Sequence, residues 1–176
     1  EPAYFLSHPA HVIAVWRGGM SSHGGFIGVV ITLWFALRNK EVSKLALADT
    51  VVVPIALGLA LGRLGNFINY ELYGYVTDLQ WAIAIPGVEG LRHPTQIYAV
   101  LKDLIIAGVC FWHLRRYVKP GMTTAVFLML YAVLRFTVEI YRVQDHTGLL
   151  GLTRGQLLTV PIFIFGVLLW KAVRKI

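Results

Sequence analysis

Residues 45–61 read LALADTVVVPIALGLAL, and the block that follows, residues 62–74, reads GRLGNFINYELYG. The first is an apolar run near the minimum length, about 17 residues, that lets a helix cross about 30 Å of hydrocarbon. The second turns abruptly polar. The pairing of an apolar run with a polar block recurs along the chain, and four further runs stand at Ser22–Leu37, Ile97–Leu114, Met122–Tyr141 and Gln156–Trp170. The fold class expected is all-α: a single polytopic membrane domain of about five spans over residues 1–176, with a small interfacial lobe near residues 62–96. The first and last runs are short, so their ends are expected to extend into flanking polar residues.

Composition agrees. Of 176 residues 57% are hydrophobic and 14% charged, too little polar surface to coat a water-soluble globule. The formal charge of +7 does not indicate nucleic acid, because the basic residues punctuate apolar runs instead of grouping on a polar face. The single cysteine, Cys110, lies in an apolar stretch, which excludes an internal disulfide framework and any CxxC metal spacing. The chain opens on Glu1, and a fragment of a longer protein is expected.

Basic residues alternate between the two ends of the spans. Arg38, Lys40 and Lys44, then Arg115, Arg116 and Lys119, then Lys171, Arg174 and Lys175 occupy every second connection. The positive-inside rule makes those ends cytoplasmic, together with the C-terminus. The opposite, outward side holds Arg17, Arg63, Arg92, Arg142 and Arg154, with most of the unusual polar residues.

Several constellations on that side can carry chemistry. Ser21–Gly28, containing His23, Gly24 and Gly25, combines a histidine that titrates near neutral pH with glycines that expose backbone N–H groups, although, taken alone, a small-residue packing face with an interfacial histidine is the commoner explanation. Gly58–Gly74 places Arg63 beside Gly65, Asn66, Asn69 and Glu71, a donor set suited to a lipid phosphate; the alternative is a snorkelling arginine with capping asparagines. Tyr131, Arg135, Glu139 and Arg142, spaced by four, four and three, share one helical face that must look into the protein. An Arg135–Glu139 pair can instead serve only to lock helices. Arg92–Tyr98 and Arg154–Gln156 set polar groups at helix N-termini, where anion binding and capping are both open. Lys102 and Asp103 lie one turn inside a span with no partner indicated.

The blocks His23-Gly24-Gly25, Gly62-Arg63-Leu64-Gly65-Asn66-Phe67-Ile68-Asn69-Tyr70-Glu71-Leu72-Tyr73-Gly74, Arg92-His93-Pro94-Thr95-Gln96, Tyr131-x3-Arg135-x3-Glu139 and Gly155-Gln156, in this order, resemble the prolipoprotein diacylglyceryl transferase family. The resemblance runs from about Trp16 to the final helix. It implies transfer of the diacylglyceryl group of phosphatidylglycerol to the lipobox cysteine of a prolipoprotein, with glycerol phosphate leaving and a thioether forming. His23, Arg63 and Arg135 then match catalytic residues. Gly24, Gly25, Gly65, Asn66, Asn69, Glu71, Tyr131 and Glu139 match substrate-binding ones. A bacterial inner-membrane location with the site facing the periplasm follows, with no cofactor, no metal and no nucleic-acid partner. Relative to the family pattern, two N-terminal membrane helices are missing and the stretch between Gly74 and His93 is short. Two other readings compete: a lipid head-group transferase, which ordinarily wants a metal-binding aspartate motif, and a transporter or channel subunit using the Arg135/Glu139 face.

Overall fold

Ser43 starts the first described helix by accepting a hydrogen bond from the Ala46 N–H through its hydroxyl, at 3.3 Å. The computed structural model describes residues 41–116, 119–143 and 151–175, together with Ser7, Ile31, Phe35 and Arg38. It divides into two units, Glu1–Val42 and Ser43–Ile176. In the first, the Arg38 guanidinium lies 5.3 Å from the centre of the Phe35 ring. Most of the expected span Ser22–Leu37, including His23, Gly24 and Gly25, falls outside the described residues.

The second unit holds four long helices, α1 (Lys44–Ile68), α2 (Thr95–Arg116), α3 (Met122–Ile140) and α4 (Arg154–Lys175), each long and apolar enough to cross a membrane. A two-residue ribbon, β1 (Ile83–Ala84) and β2 (Leu91–Arg92), pairs antiparallel between α1 and α2. Four of the five expected spans are therefore present among the described residues. The last is longer than its apolar run, reaching into polar residues at both ends. α1 also overruns its apolar stretch: Gly62–Ile68, expected to belong to the lobe, is a further helical segment. Helical spacing there sets Arg63 and Asn66 on one face, where they hydrogen-bond to each other.

α1 packs chiefly on α2 and α3 on α4, with α2 and α3 joining the pairs. Small residues make the close approaches, since lipid supplies no hydrophobic drive between helices. Ala56, Ile106 and Cys110 are fully buried between Val52, Ala107 and Phe127. Cys110 is a free thiol in this core.

Asp49 fastens the arrangement from inside the bundle, near its basic end. Its carboxylate, 4% exposed on α1, accepts from the Gly121 N–H at 2.7 Å, the Thr124 N–H at 2.7 Å and the Thr124 hydroxyl at 2.6 Å. These are N–H groups that the start of α3 would otherwise leave unsatisfied, so a residue of one span caps another.

At the other end of the helices, residues 73–77 run extended and bind two neighbours. Tyr75 N–H donates to Tyr141 O and Val143 N–H to Tyr73 O; Gly74 N–H donates to His93 O and Thr77 N–H to Leu91 O. The lobe is thus stitched to the start of α2 and the end of α3. Replacing Asp49 by Ala is expected to destabilise the protein by about 1–3 kcal/mol, the cost of orphaning buried donors, read as a lowered unfolding temperature in detergent or nanodiscs.

Candidate anion site at the lobe end of the helices

Arg63 from α1, Arg135 and Glu139 from α3, Gln96 and Ala99 from α2, and Arg142 just beyond α3 line one narrow cavity, with Leu72, Thr95 and Val138 completing it. Its room is about 10 Å³, the scale of a single water molecule. Among the described residues three guanidiniums face one carboxylate, an excess of two positive charges at the end of an apolar bundle. Glu139 is 3% exposed, and its Oε2 lies 3.4 Å from Arg135 Nη2 and 3.5 Å from Arg142 Nη1. It therefore holds two cations by one oxygen at distances too long for strong bonds, leaving both with donors for an anion.

Arg63 is set from the loop. Its Nη1 reaches Asn66 Oδ1 at 3.5 Å, and Asn66 Nδ2 donates to Glu71 Oε2 at 2.9 Å. Residues 69–74 must then double back, with Tyr70 at φ 58° and Leu72 at φ 56° in the left-handed region. Such residues cost roughly 1–2 kcal/mol each and persist only where the surroundings hold them. The holding groups come from the start of α2: the Gln96 side-chain amide donates to Glu71 O and the Thr95 hydroxyl to Leu72 O, both at 2.7 Å. Gln96 is 2% exposed, and its Oε1 has no hydrogen-bond partner among the described residues.

Two glycines permit contacts that any side chain would block. A Cβ at Gly74 would stand 2.5 Å from Tyr141 O and 2.6 Å from His93 Cβ. One at Gly155 would stand 2.5 Å from Glu139 Oε1, so α4 approaches the ion-pair carboxylate through the missing side chain.

Of the residues expected from sequence, Arg63, Arg135 and Glu139 meet in the cavity, while Asn66 and Glu71 act on Arg63 from the side. Asn69 does not line the cavity; it is the exposed C-cap of α1, its N–H donating to Gly65 O. Gly65 has nothing within 4 Å of an added Cβ, so no close packing demands it. Tyr131 lies off the cavity, stacked on Phe127 at 5.9 Å. His23, Gly24 and Gly25 lie outside the described residues.

At Thr153–Gln156 capping is observed. Thr153 N–H donates to Gln156 Oε1 and Gln156 N–H to Thr153 Oγ1, a reciprocal capping box. Arg142 and Gln96 were visible in sequence as members of motifs, but nothing there ranked them with Arg63.

The fold and cavity define a polytopic helical membrane protein with an arginine-lined cavity at one end of its spans. Comparison with known proteins narrows this. The sequence matches the family model described as prolipoprotein diacylglyceryl transferase over residues 3–172. It is 41% identical to the phosphatidylglycerol–prolipoprotein diacylglyceryl transferase of Ruegeria pomeroyi, covering 99% of this chain and 68% of the relative. It is 44% identical to that of Polynucleobacter asymbioticus, covering 97% and 67%, and 42% identical to that of Bordetella avium over the same shares. The chain belongs to the prolipoprotein diacylglyceryl transferase family.

Gly74→Ala and Gly155→Ala are each expected to lower stability by about 1–3 kcal/mol through overpacking. Gly58→Ala, whose added Cβ meets nothing within 4 Å, is expected to leave it unchanged or raised. Thermal unfolding of the three variants side by side checks this.

Proposed function

We propose that the protein transfers the diacylglyceryl group of phosphatidylglycerol to the lipobox cysteine thiol of a prolipoprotein, using the arginines that line the cavity to engage the lipid phosphate. The observation that carries this reading is the meeting of Arg63, Arg135 and Arg142 against the single carboxylate of Glu139. Uncompensated guanidiniums are expensive in an apolar bundle, and a phosphate supplies the missing negative charge through bidentate bonds. Family membership supplies the reaction class.

In the step proposed, the cysteine sulfur attacks the lipid's glycerol carbon that bears the phosphate oxygen. The S–C bond forms as the C–O bond breaks, and the electron pair leaves with glycerol phosphate. A thiol of pKa about 8.5 is mostly protonated at neutral pH, so the proton must go to a base. His23, with Gly24 and Gly25 beside it, is the candidate. Arg63 and Arg135 serve the developing negative charge on the leaving phosphate, Asn66 and Glu71 orient Arg63, and Glu139 orients Arg135 and Arg142. Tyr131, Gly65 and Asn69 have no contact with the cavity that argues for more than a supporting part.

The cavity is proposed to face the periplasm of a bacterial inner membrane. Arg115, Arg116, Lys119, Lys171, Arg174 and Lys175 all cluster toward the opposite ends of the helices, which the positive-inside rule makes cytoplasmic. A translocated prolipoprotein presents its cysteine on the outer side.

Arg63→Lys keeps the charge and loses the fork, so kcat/KM for phosphatidylglycerol is expected to fall about 10²-fold or more with the protein still folded in membranes. His23→Gln is expected to abolish transfer at neutral pH. Wild-type rates in both variants contradict these roles.

A further inference from the structure

The face of α2 that follows Gln96 and Ala99 into the membrane carries two charges that the cavity does not explain. Lys102 and Asp103 are 5% and 1% exposed, and Lys102 Nζ donates to Asp103 Oδ1. The other carboxylate oxygen, Oδ2, is buried with no hydrogen-bond partner among the described residues. Lys102 Nζ also sits 4.8 Å from the centre of the Tyr131 ring, a cation–π contact with the helix that bears Arg135. If joining α2 to α3 were the only task, apolar side chains of similar volume would do it at lower cost than a buried ion pair.

Their depth suggests what the charges do. Lys102 and Asp103 lie seven and eight residues from the start of α2, about 10–12 Å in at 1.5 Å per residue. Arg63 and Arg135 are each five residues from the lobe ends of α1 and α3, about 7.5 Å in. The pair therefore forms a layer beneath the two arginines. The pair is also tied to the arginine face of α3, since Tyr131, whose ring receives the Lys102 ammonium, stands one turn before Arg135.

The geometry points to Lys102 and Asp103 as a positioning pair for the arginine site, Lys102 repelling the Arg63 and Arg135 guanidiniums toward the cavity while Asp103 limits the positive field they share. This rests on the reading of the cavity as a phosphate site. Neither residue lines it, so neither is catalytic. The two halves of the pair act with opposite sign. Without Lys102, the Asp103 carboxylate becomes a partner for Arg63 from below and competes with the phosphate. Without the Asp103 charge, Lys102 adds its field to that of the arginines, so the anion binds more tightly and leaves more slowly.

The test uses the intact protein in phosphatidylcholine nanodiscs, with glycerol phosphate and added phosphatidylglycerol as probes and unfolding temperature measured alongside. Lys102→Met is expected to weaken binding of both probes about five- to tenfold, and Asp103→Asn to tighten glycerol phosphate by a similar factor while lowering kcat. The neutral double variant Lys102→Met/Asp103→Leu returns to within about threefold of wild type. Lys102→Arg, which keeps the charge, retains wild-type affinity. Shifts of the same direction in Lys102→Met and Asp103→Asn, or lowered unfolding temperatures with unchanged affinities, overturn the proposal and leave a fastening ion pair. If opposite shifts in glycerol phosphate binding occur in a protein that performs no transfer, the positioning role stands and the transferase reading fails.

Discussion

A guanidinium held inside an apolar bundle must find negative charge or reach water, and among the described residues Arg63, Arg135 and Arg142 share a cavity lined by one carboxylate, that of Glu139. Much of the surrounding structure follows from keeping those cations in place. α1 continues as helix past its apolar stretch, which carries Arg63 to the wall of the cavity. The chain then turns through two left-handed residues so that Glu71 can return to Asn66, and Asn66 to Arg63. The start of α2 contributes the bonds that hold this turn closed, through Thr95 and Gln96. Absent side chains at Gly74 and Gly155 let the lobe and α4 close upon the same few atoms.

The two ends of the bundle divide the work. At the basic end, Asp49 caps α3 with a carboxylate whose two oxygens accept from two backbone donors and one hydroxyl of the same helix start. At the lobe end, positive charge exceeds negative, the long distances to Glu139 leave donors available, and a buried Gln96 oxygen lacks a partner among the described residues. The first pattern is that of a fastener, and the second is what the proposed phosphate site requires.

Much of this was legible in sequence because lipid imposes simple rules. Runs of apolar residues located four spans that the structure contains, and the spacing of Arg135 and Glu139 set them on one helical face as i,i+4 partners. The family motifs drew Arg63 and Asn66 to the same site. What escaped depended on long-range partners. Asp49 reads as a lone acid in an apolar run, since its donors lie more than 70 residues away in sequence. Asp103 pairs with the adjacent Lys102, and neighbours in sequence do not face each other on a helix unless a long side chain folds back. Asn69 stands in one polar block with Asn66, but three residues carry it past the helix end to a cap. The continuation of α1 through Gly62 and Gly65 was also hidden, because glycines beside polar residues ordinarily signal a loop.

The measurement that bears most directly on the account is transfer of labelled diacylglycerol from phosphatidylglycerol to a lipobox peptide by the intact protein, comparing the peptide's cysteine with serine. Cysteine-dependent labelling, with glycerol phosphate released in equal amount, is the predicted result. A folded protein that binds phosphatidylglycerol at the arginine cavity yet labels neither peptide would contradict the account, leaving a lipid-binding site without transfer.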